Sequence, residues 1–332
     1  MYTGSLNDSL KIPSSWENYR DLWSMAEARE ILTAHPLHLD IELTSQCNLK
    51  CEMCWQNGLL QEAKQGMMKF EVFKKVIDEG IPLGLTAIKL QSRGESTLHP
   101  QLARYSRYAK EAGIQDIQLT TNGTLLGKEG SIEEILTCGL DKLIFSVDDE
   151  HDKSALEIYK SNVPDVKKIV HETMTTREKL GLTKPAIRIQ CIPSENQNME
   201  GKLKEVQNEF PLADEYMVNE LWNADTSGEN GNDLSSTHEM FPCAYLWTRV
   251  VIFWNGDVAL CCRDYNNFHK LGNVEQESVK TLWTSPKMQG LRKAHLAGQR
   301  GQIAICKDCE HGIRPKIDVG RKPFIYEVKS KG

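Results

Sequence analysis

No run of about 18 uninterrupted apolar residues occurs in this chain, and its most apolar stretch, Tyr245 to Trp254, is short and broken by Arg249. A membrane-crossing helix, and with it a membrane partner, is not expected. Basic runs are missing too: 40 Lys and Arg stand against 46 Asp and Glu, for a net charge of −6, which disfavours nucleic acid as a partner. The opening residues, MYTGSLNDSLKIPSSW, lack the basic-then-apolar order of a secretory signal. The expectation is a cytoplasmic chain whose ten cysteines serve as thiols or metal ligands rather than as disulfides.

With 332 residues, 40% of them apolar, the chain can bury one large core and a smaller one. Residues 1–36 read as a polar lead and one amphipathic helix, Trp16 to Ala34, stopped by His35-Pro36. Across 37–222, β-like runs such as LHLDIEL, TAIKLQS, IQDIQLTTN, LDKLIFSV and AIRIQCI alternate with helical ones such as FEVFKKVIDEG and VKKIVHETMTTREKLG. That alternation predicts an α/β fold with a parallel sheet. Residues 223–237 (NADTSGENGNDLSST) hold too little apolar surface to pack and read as a linker. The remainder, 238–332, predicts a β-hairpin turning at Asn255-Gly256-Asp257, a helical region within Ser278 to Ala297, and a cysteine-bearing loop.

Three cysteines, Cys47, Cys51 and Cys54, fall within eight residues directly after the first predicted strand, where α/β domains place their chemistry. A structural zinc site takes four closed ligands, and no fourth Cys or His lies close by after the strand. Three thiolates instead suit an iron–sulfur cubane with one iron left open, with a zinc knuckle as the alternative.

The run Cys47-x3-Cys51-x2-Cys54, with Met53 before the third cysteine, resembles the CxxxCxφC signature of the radical S-adenosylmethionine (SAM) superfamily. The resemblance implies a partial (β/α)6 TIM-like barrel and a [4Fe–4S] cluster that binds SAM. Arg93-Gly94-Glu95 is similar to the GGE motif that holds the SAM ammonium, with Arg93 in place of the first glycine. Thr120-Thr121-Asn122-Gly123 and Ser146-Val147-Asp148 resemble the polar strand ends that face SAM. In AIRIQC, alternation puts Arg188 and Gln190 on one face and Ile187, Ile189 and Cys191 on the other, without saying which face is inward. The implied SAM contacts are Met53, Gly94, Glu95, Thr121, Asn122, Ser146 and Gln190. Ile158-Tyr159-Lys160 offers a lysine where relatives carry an arginine for the SAM carboxylate, and lysine lacks the bidentate fork, so Lys160 stays outside this set.

Cys243, Gly256, Cys261 and a distant Cys306-x2-Cys309 pair form a second set, and four thiolates complete a shell for zinc or for iron–sulfur alike. The spacing resembles the SPASM and Twitch auxiliary domains of radical SAM enzymes, which implies a second [4Fe–4S] cluster on Cys243, Cys261, Cys306 and Cys309. Cys261 satisfies the GX4C count, and strand alternation turns its neighbour Cys262 the other way. Isolated Cys138 and Cys191 read as small buried hydrophobes.

The resemblance extends to the SAM-dependent aminocyclitol dehydrogenase class known from butirosin biosynthesis. It implies abstraction of a hydrogen atom from a carbohydrate or cyclitol alcohol, oxidation to a ketone, and an external one-electron donor such as flavodoxin or ferredoxin. A ribosomal-peptide maturase and a non-catalytic metal-binding scaffold are the alternatives. Arg188, Glu220 and Trp222 are the expected substrate contacts, and no catalytic base is identified.

Overall fold

The computed structural model describes residues 16–54, 56, 66–193, 197–219, 238–307, 309, 313–315 and 324–328. Glu220, Trp222 and the expected linker 223–237 lie outside the described residues. After α1 (Trp16–Glu27), strands β1 (His38–Ile41), β2 (Ala87–Lys89), β3 (Asp116–Thr121), β4 (Lys142–Ser146), β5 (Ala186–Cys191) and β6 (Glu215–Asn219) pair in sequence order, all parallel. Helices α2 (Phe70–Gly80), α3 (Leu102–Ala112), α4 (Ser131–Thr137), α5 (Asp149–Tyr159), α6 (Val166–Lys179) and α7 (Met199–Glu209) supply the crossovers.

Strand alternation sorts the side chains into two environments. Leu39, Ile41, Ile88, Ile117, Leu119, Leu143, Phe145, Ile187, Ile189 and Val218 share one core with Val76, Ile77, Ala109, Val170 and Met174 of the helices. The opposite face carries Asp40, Lys89, Gln118, Lys142, Ser146, Arg188, Gln190 and Glu215, a polar interior. The sheet is curved: Lys89 on β2 feels the charge of Arg188 on β5, three strands away. This is a partial barrel with a charged interior.

The chain continues through β7 (His238–Met240), α8 (Tyr245–Thr248), β8 (Arg249–Ile252), β9 (Asp257–Ala259), β10 (Gly272–Asn273), α9 (Val279–Trp283), α10 (Pro286–Leu296), α11 (Ala304–Lys307), β11 (Ile313–Pro315) and β12 (Phe324–Val328). The expected hairpin is β8–β9, and its turn closes with Gly256 N–H donating to the Phe253 carbonyl at 2.8 Å, Gly256 taking φ of 80°. Its position carries more meaning than its shape. β8 runs parallel beside β1, with His38 opposite Arg249 and Ile41 opposite Ile252, so the cysteine-bearing hairpin extends the barrel sheet itself. At the far edge β12 pairs antiparallel with β6.

The first helix departs from its expected length, ending at Glu27 rather than Ala34. Arg29 takes φ of 61° and its guanidinium donates to the Pro242 carbonyl. Leu32 is buried and the Thr33 carbonyl receives the Trp283 indole N–H at 2.8 Å, so tertiary contacts claim a segment with helical periodicity.

His35 is 1% exposed, its Nδ1 bonded to the Pro36 carbonyl at 2.8 Å, and burial lowers its pKa to about 4. The unfolded chain therefore takes up this proton first. Its contribution to stability is full above pH 6.5 and falls as pH drops towards 4, by roughly 3 kcal/mol. Urea unfolding at pH 7 and pH 4.5 is expected to show that loss in the wild type and a correspondingly smaller one in His35→Gln.

Candidate active site

The loop after β1 gathers the first three cysteines. Cys47, Cys51, Cys54 and Met53 pack with Leu49, Ala155, Tyr159 and Val163 in one apolar nest. Local bonds set its shape: Cys54 N–H donates to the Cys51 carbonyl at 3.0 Å, and Leu49 N–H points at Cys47 Sγ at 3.5 Å. The Ser154 hydroxyl accepts from Lys50 N–H at 2.6 Å and also bonds Cys51. Asn48 Nδ2 donates to Thr124 Oγ1 at 2.7 Å and to Tyr159 Oη at 2.6 Å, tying the loop to the β3 end and to α5.

Burial pushes the Cys47 thiol up to about 12 and Cys51 to about 11, and raises Cys54 as well. Such thiolates need a cationic group to hold them. Among the described residues no three Cys, His, Asp or Glu side chains converge as the shell of one metal ion. Three thiolates gathered in one apolar nest can fill three corners of a cubane and leave the fourth open, whereas a structural zinc takes four ligands.

Gly94 explains why a glycine follows Arg93. A Cβ there would lie 2.2 Å from the Thr44 carbonyl oxygen and 2.5 Å from that of Gln46, so only glycine lets the loop after β2 lie against the cysteine loop. Glu95 N–H donates to the Gln46 carbonyl at 2.8 Å and completes the contact. The Glu95 carboxylate caps the turn Ser96–Leu98: Oε1 accepts from Thr97 N–H (3.0 Å), Thr97 Oγ1 (2.7 Å) and Thr121 Oγ1 (2.8 Å), while Oε2 accepts from Asn122 N–H (2.7 Å). Oε1 is saturated. With about two lone pairs per oxygen, Oε2 keeps capacity for a further donor, which fits an incoming ammonium. Gly94, Glu95, Thr121 and Asn122 thus form one connected group beside Cys47.

Arg93, the departure from the glycine pattern, makes a buried two-pronged ion pair with Glu42: Nε to Oε2 and Nη2 to Oε1, both 2.6 Å. Its Nη1 donates to the Tyr265 carbonyl at 2.8 Å, and its guanidinium stacks 3.5 Å from the centre of the Phe253 ring. One side chain therefore joins the end of β1, the loop after β2 and the hairpin region.

The second cysteine set lies around that region. Burial first, then Cys262, Cys309, Cys306 and Cys243, push the Cys261 thiol well above its ordinary value, which puts Cys261 among the other three expected ligands. Cys262 feels Asp40 and Arg249 of the barrel interior, and Cys309 and Cys243 as well, so both neighbours lie near this set. Arg300, 1% exposed, donates to the carbonyls of Cys306 (3.2 Å), Cys309 (2.7 Å) and Phe241 (3.1 Å). His295 Nδ1 accepts from Cys243 N–H at 3.1 Å, and among the described residues its buried Nε2 has no hydrogen-bond partner, so it is a donor that a sulfide-bearing group would satisfy.

The sequence matches the radical SAM superfamily over residues 41–189 and the SPASM iron-sulfur cluster-binding domain over residues 243–310. The chain carries a radical SAM domain followed by a SPASM domain. It is 27% identical over 303 residues to the tungsten-containing aldehyde ferredoxin oxidoreductase cofactor-modifying protein of Pyrococcus furiosus, covering 77% of this chain and 83% of that one. In fold it is similar to BtrN in complex with AdoMet and 2-DOIA (TM-score 0.56, 18% identity, 82% of this chain and 92% of that one). It is also similar to Streptococcus suis SuiB bound to precursor peptide SuiA (TM-score 0.57, 16% identity, 92% and 79%). As a radical SAM enzyme with a SPASM domain, it uses SAM and two [4Fe–4S] clusters.

The structure settles the face that alternation left open. Arg188 and Gln190 turn into the barrel of this radical SAM enzyme, while Ile187, Ile189 and Cys191 join the outer core. Arg188 is bound to Glu215, Nε to Oε2 at 2.7 Å, and Lys142 Nζ lies 2.8 Å from both oxygens of the same carboxylate. Ser146 Oγ donates to Asp148 at 3.0 Å, and Asp148 in turn accepts from Ile192 N–H at 2.6 Å, joining the ends of β4 and β5. Lys160 is exposed with φ of 53°, whereas the adjacent Tyr159 hydroxyl serves the cysteine loop. Sequence reasoning missed Asn48, Ser154, Glu42 and Arg300, and only the unexpected arginine at 93 marked any of them.

Two substitutions probe this construction. Gly94→Ala pushes two loops apart by their backbones, and a displacement of about 1 Å is expected to lower 5′-deoxyadenosine formation roughly 100-fold. Arg93→Gly restores the usual family residue yet strands a buried Glu42. It is expected to destabilise by about 3–5 kcal/mol in denaturant titration, Glu42→Gln comparably, and the double variant by less than their sum.

Proposed function

We propose that this enzyme oxidises a secondary alcohol of a small carbohydrate or cyclitol to a ketone inside the barrel. Cys47, Cys51 and Cys54 hold the SAM-binding cluster, and Met53, Gly94, Glu95, Thr121, Asn122, Ser146 and Gln190 hold SAM. Cys243, Cys261, Cys306 and Cys309 hold the auxiliary cluster. When bound, the SAM-binding cluster would supply the one electron that splits SAM into methionine and a 5′-deoxyadenosyl radical, which would take the hydrogen atom from the carbinol carbon. The substrate then loses its hydroxyl proton and one electron, which completes a two-electron oxidation. An auxiliary cluster held by Cys243, Cys261, Cys306 and Cys309 would accept that electron. An external donor of the flavodoxin or ferredoxin type supplies the first electron.

The observation that carries this reading is the placement of the hairpin. β8 is bonded into the barrel sheet beside β1, and Cys262, next to Cys261, lies within the electrostatic reach of Lys89, Asp40 and Arg249 of the interior. A second redox group held there borders the chamber in which a substrate radical would form. The barrel's own contribution is a polar wall that binds a hydroxylated molecule, with Arg188 a substrate contact, and walls that exclude water.

Anaerobic reconstitution is expected to give about eight irons per chain, with 5′-deoxyadenosine formed under reduction. Deuterium from a polyol labelled at its carbinol carbon should appear in that product. Cys261→Ala should lower the iron to about four and halt ketone formation, while Cys262→Ala keeps the full complement. A zinc-loaded protein inert towards SAM would overturn the reading, and so would deuterium arriving only from a labelled peptide.

A further inference from the structure

The charges inside the barrel do not balance locally. Arg93 is committed to Glu42, and Arg249 lies 3.8 Å from Asp40, which His38 also contacts at 3.1 Å. Burial opposes the charge of Asp40, but those neighbours outweigh it and hold its pKa at about 2, so it stays a carboxylate. On the opposite wall, Lys142 and Arg188 surround a single carboxylate, Glu215. Between the two walls stands Lys89, in register with Asp40 on one side and Gln118 on the other. It has no ion pair or hydrogen bond among the described residues; burial disfavours its charge, and Asp40 on the neighbouring strand favours it. The remaining interior acid, Asp116, sits one turn of the pleat lower, towards His38 and Tyr19, and accepts from Gln118 Nε2 at 2.6 Å. With Arg249 and Asp40 counted as well, Lys89, Lys142, Arg188 and Arg249 share the interior with Asp40, Glu215 and, lower down, Asp116, which leaves one positive charge in surplus.

A surplus positive charge in a half-buried chamber favours the arrival of an anion. We propose that the substrate carries an oxyanion, a carboxylate or a phosphate, seated among Lys89, Lys142 and Arg188. Guanidinium and ammonium donors together suit such a group: the planar fork of arginine matches two oxygens, and lysine adds a mobile point charge. The anion anchors the molecule at the barrel wall while its hydroxylated part extends towards the cysteine loop. The inference deepens the reaction proposed above and rests on it for the location of the substrate. It narrows the substrate class to acidic or phosphorylated polyols.

The test uses the reconstituted enzyme with SAM present, so that SAM's own carboxylate is already placed. Calorimetric titration at low ionic strength with inorganic phosphate and, separately, malonate is expected to show one site per chain. The tighter of the two probes assigns phosphate or carboxylate as the substrate's anion. Lys89→Gln and Arg188→Gln should each weaken that site about tenfold or more. Lys89→Arg should retain it, which separates loss of charge from loss of fold, and Lys168→Gln on the exposed face of α6 should leave it unchanged. Binding of neither probe, or equal binding by Lys89→Gln and the wild type, overturns the proposal. Anion binding in a protein that does not cleave SAM would instead sink the radical reaction and leave the oxyanion site standing.

Discussion

The buried contact between Arg93 and Glu42 is the joint on which the rest of the site depends. Glu42 follows β1 and introduces the cysteine loop, while Arg93 introduces Gly94 and Glu95. Both of its oxygens are engaged by the guanidinium, and Oε1 also receives Trp254 N–H at 3.3 Å. A pair this deeply buried gains little net energy over a hydrophobic substitute, so what it provides is registry. It fixes the height at which the loop after β2 meets the cysteine loop, and through Tyr265 and Phe253 it fixes where the second cysteine region meets both.

Much of the fold was legible because the strands obey a strict two-residue period. Ile187, Ile189 and Cys191 alternate with Arg188 and Gln190, and the pattern announces a two-faced strand whatever its neighbours. Which face looks inward was not legible, because a barrel that binds polar molecules inverts the usual rule of apolar inside and polar outside. Only the helices packed on Ile187 and Ile189 decide it. Trp16 to Ala34 misled for a related reason: the apolar residues after Glu27 have helical spacing, but Leu32 and the Thr33 carbonyl are claimed by partners such as Trp283, 250 positions away in sequence.

The cysteines were legible as two sets because thiolates that serve metal chemistry must come in countable groups. Their supports were not. Arg300 binds three carbonyl oxygens and Ser154 a backbone N–H, and backbone recognition leaves no signature in residue type or spacing. Arg93 is the instructive case. Against the family pattern it reads as damage to a glycine turn, yet the turn needs no left-handed residue at that position, and it is Gly94 that cannot carry a side chain.

The strand β8, lying parallel against β1, has a consequence for how such a protein can be divided. Removing everything after residue 219 would strip β12 from β6 and β8 from β1, and would leave β1 with a row of unanswered amides and carbonyls, open to pairing with any other chain. The same cut would take Phe253 and the Tyr265 carbonyl from Arg93. The two parts therefore share one sheet, and a lineage that discarded its auxiliary centre would have to find a new strand to occupy the β1 margin.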